Sequence, residues 1–362
     1  MVAILLMTIM NFLNSRTNTL ADKLKEHQGV GPGFDAIRVY LSITIMALHS
    51  LTLAKGLAAY VGSPSWIHNL ALSLLPAFFG LGGFLVTGSG IRVNSVSKFV
   101  WHRFLRIFPA LALEVFLSAI FLGAIFTTLN LHDYFSSNEF WIYFKNIIGI
   151  INFNLPGVFL DNPFPRTVNG NLWTLRPDYY GYLILTGLML LGIFSRKKLY
   201  LYFLLISFMI FFGFDFATEV GKPYFVPKDS ALVFSFLFGS LLFLKSDIIP
   251  WRLDILLFCL AFYVFLGQHG GYSYLSSAAI VYAVIYAGMI KIPMPSFLKL
   301  GDYSYGIYLY GFPIQQALVA KFLWIREWYI LFPVSAVLAL TLAVISWHFI
   351  EKPFLKLKYI IR

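Results

Sequence analysis

The chain has 362 residues, of which 59% are hydrophobic and only 12% charged, and its mean hydropathy is +0.78. Soluble domains carry about 25% charged residues, so this composition excludes a water-soluble globular fold. The formal net charge of +11 does not point to nucleic acid, because the basic residues are spread over several loops and form no patch.

Residues 1–13 are apolar yet too short to span a bilayer. No basic stretch precedes them and no small-residue cleavage site follows, so they read as an interfacial helix or a misassigned start, not a signal peptide. Apolar runs then stand at 34–54, 66–90, 105–129, 178–194, 198–214, 230–245, 251–267, 272–290, 302–323 and 328–350. Several reach the ~20 residues that span as a helix, and the others come close. The expectation is an all-α, polytopic integral membrane protein of about ten transmembrane helices. With the N-terminus inside, nineteen of the 27 lysines and arginines fall on inner segments. That bias puts both termini in the cytoplasm of a multi-pass protein of the inner (cytoplasmic) membrane. The division expected is a cytoplasmic or interfacial segment 1–33, a membrane domain 34–357 with an outer loop at 131–177, and a tail 358–362. No internal repeat is visible, which weakens a secondary-transporter reading. Cys259 is the single cysteine, which excludes an internal disulfide and a Cys-rich metal site.

In the first run, Arg38 and His49 are 11 residues apart. At about 100° per residue they share one helix face, roughly 16 Å apart along the axis. With Arg38 at the surface, His49 lies near mid-membrane, where an ionisable side chain marks a functional site. A satisfied core histidine below a helix-end arginine is the plainer alternative. The second run holds five glycines between Gly80 and Gly90, suited to close helix packing or to a thin ligand. Ahead of the third run, Arg103 and Arg106 sit at i and i+3 on one face. Two guanidiniums there could grip a polyphosphate, with Lys98 adding charge; contact with anionic lipid would explain them equally. At the fourth run, Pro177 and Asp178 suit a first helical turn. Asp178 is either a dipole cap or a carboxylate facing His49 that fixes the imidazole tautomer. The loop aromatics Trp141, Trp173, Tyr143 and Tyr134 could stack on sugar rings, although interfacial belts have the same composition.

Taken in order, Arg38-x10-His49, Phe78-Phe79-x3-Gly83-Phe84-Leu85, Arg103-x2-Arg106-Ile107-Phe108-Pro109, Leu172-Trp173-Thr174-Leu175, Ser304-Tyr305-Gly306-Ile307-Tyr308-Leu309 and Ile350-Glu351-Lys352-Pro353-Phe354 resemble the acyltransferase-3 family. These are integral-membrane enzymes that O-acylate surface polysaccharides and related molecules. The resemblance runs from about Phe34 to Leu357. It implies a ten-helix enzyme that takes an acyl-CoA, usually acetyl-CoA, from the cytoplasm. His49 would match the essential histidine, Arg38 its arginine partner, and Arg103 and Arg106 the loop arginines. Three positions depart from the family pattern: Asp178 stands where Glu is common, Gly311 where His is frequent, and His102 where a second basic residue often accompanies Arg103.

The resulting expectation is acyl transfer, acetyl above all, from acyl-CoA to a hydroxyl of a carbohydrate or its lipid-linked precursor. His49 would be the general base, with Arg38 and Asp178 beside it. Arg103, Arg106 and Lys98 would hold the CoA phosphates, the pantetheine arm running along the glycine-rich second helix. Trp173 and Tyr305 would meet the substrate, and no metal is needed. A covalent acyl-histidine stays open, as does the rival reading of a glycolipid flippase with His49 as proton relay.

Overall fold

Backbone polar groups in a bilayer must be satisfied within their own segment, so long apolar runs become helices. The computed structural model of the chain bears this out: 79% is helix, with no strand among the described residues. The structure describes residues 18–219, 227–267 and 273–360; the apolar stretch 1–13 lies outside them. Among the described residues ten helices have fifteen residues or more. They are α1 (Phe34–Lys55), α2 (Ser65–Val93), α3 (Val96–Phe116), α4 (Leu175–Leu190) and α5 (Lys197–Glu219), followed by α6 (Asp229–Leu244), α7 (Leu253–Gly267), α8 (Ser273–Gly288), α9 (Ser304–Lys321) and α10 (Trp328–Ser346).

Each helix falls on one of the ten apolar runs. Among the described residues four segments are long and apolar enough to cross a membrane: α1, α2, α3 prolonged to Phe126, and α10 prolonged to Lys356. Both prolongations pass through a π-helical turn, Leu117–Leu122 and Trp347–Glu351. The 15 or 16 residues of α4, α6, α7 and α8 reach only about 24 Å, short of a core ~30 Å thick. Length and composition thus support four crossings where ten were expected.

Glycine sets the tightest packing. A Cβ on Gly83 would strike the carbonyl of Phe236, and one on Gly239 would strike that of Gly80, so α2 and α6 touch backbone to backbone. Val281 closes over Gly80 and Phe243 over Gly88. The glycine face of α2 is therefore filled by protein and offers no channel for a pantetheine arm.

The first and ninth helices run parallel. Arg38 meets Asp302, Ser42 Oγ donates to the Ser304 carbonyl at 2.9 Å, and Gln315 Nε2 donates to the Met46 carbonyl at 3.0 Å and Ser50 Oγ at 2.6 Å. Gly311 lies on this seam; a Cβ there would come within 2.9 Å of Met46 Sδ, so the departure from His accompanies close packing. At the far end Lys55 pairs with Glu327, which ties the end of α1 to the start of α10.

The loop between α3 and α4 is ordered around its own core of Tyr134, Phe140, Tyr143 and Val158, all essentially buried. Tyr134 and Tyr143 are fully buried and cannot stack on a sugar, contrary to the expectation from composition. Gln316 of α9 fastens the loop, donating to the carbonyls of Phe164 (2.8 Å) and Thr167 (2.7 Å) and accepting from Asn162 (2.8 Å). The chain then turns inward as a short 3-10 helix, Gly170–Thr174. Proline makes the landing place. Pro313 has no N–H to give the Leu309 carbonyl one turn earlier, and Asn169 Nδ2 takes that carbonyl at 3.0 Å. Asn171 Nδ2 takes the neighbouring carbonyl of Tyr308.

Candidate active site

His49 opens onto a cavity of about 340 Å³ between α1, α2, α9 and the inward-turned segment. The walls are largely aliphatic and aromatic, and the imidazole meets Phe312 edge-on with centroids 5.4 Å apart. Thr52, one turn beyond His49 on the same face, lines the cavity, as do Gly170, Trp173 and Tyr308. Among the described residues the side chains of His49, Thr52 and Trp173 have no hydrogen-bond partner. Polar groups in an apolar chamber are ordinarily paired. Three unpaired ones facing a shared space are free to bind a ligand that brings its own polar atoms.

About 16 Å down the same helix face lies a cluster of charge. Asp302 Oδ2 accepts from Arg38 Nη1 at 2.6 Å and from Arg106 Nη2 at 2.7 Å, and Arg106 Nη1 reaches Glu351 Oε2 at 2.8 Å. Ser304 supports Asp302 (2.7 Å) and Ser346 supports Glu351 (3.2 Å). The Arg106 guanidinium lies over Tyr305 and Trp347, 5.5 and 5.9 Å from their ring centres. Both outer nitrogens of Arg106 are occupied by carboxylates. This arginine is a clasp between α3, α9 and α10, with little left for a phosphate.

Arg103 is different. Its Nε is buried with no partner, its Nη2 lies 3.5 Å from Ser89 Oγ, its guanidinium sits 5.9 Å from the Phe99 ring centre, and its neighbour is the Tyr182 hydroxyl, not an acid. It has no carboxylate within ion-pair distance among the described residues. A buried guanidinium in that condition suits an anion brought from outside. Lys98 acts on His102 at the start of α3 and lies about 140° around the helix from Arg103, so the two do not share a face.

Asp178 was expected at the outer mouth of the fourth helix, in reach of His49. The charges that act on it are those of Arg38 and Arg103, and its own charge bears on Tyr182 and Tyr308. The Gly170–Thr174 turn leads directly into α4, whose first turn carries Asp178. Trp173 lines the His49 cavity as expected. Tyr305 does not: it packs beneath Arg106, its hydroxyl 3.4 Å from the Ile107 carbonyl. Tyr308, one turn further along α9, stands at the cavity and bonds Thr174 Oγ1 at 2.9 Å.

Sequence reasoning passed over the roles of Asp302, Glu351 and Thr52. Two arginines drawn into apolar helices require counter-charges, and Asp302 and Glu351 are acids at the edges of the ninth and tenth runs. Thr52 was visible as the i+3 neighbour of His49.

An all-helical protein with membrane-spanning segments, a histidine chamber and an arginine–carboxylate cluster one helix face below defines a membrane protein with an internal site. Its family follows from comparison with known proteins. A family model, the acyltransferase-3 acyltransferase domain, matches residues 32–348, and the chain belongs to that family. An O-acetyl transferase of Shigella phage Sf6 is 26% identical over 332 residues, covering 89% of this chain and 95% of the phage protein. Nodulation protein 10 of Rhizobium leguminosarum bv. viciae is 28% identical over 355 residues, covering 90% and 93%. No solved structure matches the chain.

Proposed function

We propose that the protein is a membrane O-acetyltransferase that moves an acetyl group from acetyl-CoA, entering at the basic end, to a carbohydrate hydroxyl in the His49 cavity. The observation that carries this reading is the unpartnered imidazole of His49 in an apolar chamber with Trp173 and Thr52 free beside it. The similarity to an O-acetyl transferase of a phage supports the same chemistry. In the reaction the acceptor hydroxyl gives its proton to the neutral imidazole as its oxygen attacks the thioester carbonyl. The tetrahedral intermediate then collapses, the carbon–sulfur bond breaks, and the departing sulfur takes the proton from His49 to leave as the CoA thiol. The free hydroxyl of Thr52 and the indole N–H of Trp173 are the donors available to the developing oxyanion.

Separation between the two regions fits a long, thin donor. Its anionic end would rest on Arg103, and its reactive end would have to reach His49. With the glycine face of α2 filled, the arm would pass Tyr182, Asp178 and Tyr308. Both termini and the basic end would face the cytoplasm, which puts the free histidine cavity on the side of an extracytoplasmic polysaccharide or its lipid-linked precursor. Purified protein given labelled acetyl-CoA and methyl glycosides should yield acetylated sugar, and cell-surface glycans should lose an acetyl mass increment when the protein is absent. Absence of transfer, together with glycolipid translocation that requires the protein, would overturn the reading.

A further inference from the structure

α3 carries one acid that neither the clasp nor the chamber uses. Glu114 is 1% exposed and lies about three helical turns from the nearer end of the apolar span Val96–Phe126. No cation pairs with it among the described residues. Its Oε1 accepts from Ser118 Oγ at 2.7 Å and from Asn169 Nδ2 at 2.9 Å, while Oε2 has no partner. A carboxyl group at such depth is costly, and the contact that leads out of its site runs through Asn169.

Asn169 is a junction. Its amide nitrogen bridges Glu114 on α3 and the Leu309 carbonyl on α9. Its Oδ1 accepts from the Asn171 backbone N–H at 3.1 Å and so caps the Gly170–Thr174 turn. Gly170 and Trp173 on that turn form one wall of the His49 cavity. Gly170 packs against Phe312, whose ring a Cβ there would meet at 2.7 Å, and Phe312 in turn faces the imidazole. The wall is tied to α9 through Asn169, Asn171 and Thr174, and Glu114 holds one of the two bonds made by the Asn169 amide nitrogen.

We propose that Glu114 is a positioning residue for the acceptor wall: it fixes Asn169, and through it the placement of Trp173 opposite His49. The inference rests on the reading of this cavity as the acceptor chamber. It separates two kinds of binding, since Glu114 is on the wall side and touches nothing at Arg103.

The test compares Glu114→Gln, which keeps an oxygen for Asn169 and Ser118, with Glu114→Leu, which keeps bulk and loses the acceptor. Glu114→Leu should raise the KM for the methyl glycoside that the wild type acetylates fastest by roughly tenfold or more, since small displacements at a reacting centre are strongly felt. The KM for acetyl-CoA should not move, and Glu114→Gln should restore the acceptor KM. Asn169→Leu should show the same split. Hydrogen exchange of the backbone over residues 169–175 in detergent micelles should speed up in the two leucine variants and stay as in wild type for Glu114→Gln. Equal changes in both KM values, or unchanged exchange in Glu114→Leu and Asn169→Leu, would overturn the proposal. If the wild type acetylates no glycoside, the acetyltransferase reading fails, and the exchange measurement still decides whether Glu114 holds the wall.

Discussion

The His49 chamber and the arginine cluster are both polar islands in an apolar protein, yet their polar groups are in opposite states. In the cluster, Arg38, Arg106, Asp302 and Glu351 satisfy one another, while Arg103 keeps a buried Nε without a partner. In the chamber, His49, Thr52 and Trp173 line open space with no hydrogen-bond partner among the described residues. Paired buried charge holds helices together and is damaging to break; unpaired buried polarity is tolerated where something else completes it. The contrast sorts the residues into scaffold and site, and it divides two arginines of the same motif between those roles.

Breaking the clasp should have the largest effect, and it should be on folding. Glu351 is 2% exposed at its side chain, and Glu351→Ala leaves Arg106 with half its partners, a loss of about 3–5 kcal/mol by analogy with other broken buried pairs. The yield of folded protein in detergent and its thermal midpoint should both drop. A stable Glu351→Ala protein with normal acetyl-CoA binding would show that the cluster is no scaffold.

Arg103 comes next, and it should behave as a site residue. Arg103→Ala should raise the KM for acetyl-CoA by roughly 10- to 100-fold, the range for losing hydrogen bonds to a charged group. Arg103→Lys should recover part of that loss, because charge returns without the planar fork. Thermal stability should hardly change in either. If the KM is unmoved in both variants, Arg103 belongs to the lipid interface. The smallest effect is expected at Thr52, where Thr52→Val removes one hydroxyl and keeps the shape. About a three- to tenfold fall in kcat/KM is the measure of one neutral hydrogen bond; no fall would remove Thr52 from the chamber's chemistry.

How much of this was legible beforehand depends on range. Nine of the ten apolar runs became helices within about five residues of their expected limits, because a backbone in apolar surroundings has one easy solution; the third helix starts at Val96, nine residues ahead of its run. The shared face of Arg38 and His49 followed from helix geometry alone. What the sequence concealed were contacts between distant segments. Arg38 and Asp302 are 264 residues apart, and nothing local marks them as partners. The course of the loop ahead of Asp178 was hidden for a related reason: Asn169 and Asn171 draw it onto the carbonyls of Leu309 and Tyr308. Pro313 was the available clue, since a proline inside a helix always leaves a carbonyl for another donor. The use of the α2 glycines, packing or channel, could be settled only by seeing Phe236 and Gly239 against them.

The central claim is that the chamber does chemistry while the arginine end holds the donor, and His49→Ala tests it most directly when binding and transfer are measured on the same preparation. The variant should bind acetyl-CoA as the wild type does and remain in the membrane in equal amount. Its transfer to a glycoside acceptor should fall by about 10²- to 10⁴-fold, the contribution of a general base. Transfer at the wild-type rate, or a loss of acetyl-CoA binding that accounts for the whole defect, would contradict the account.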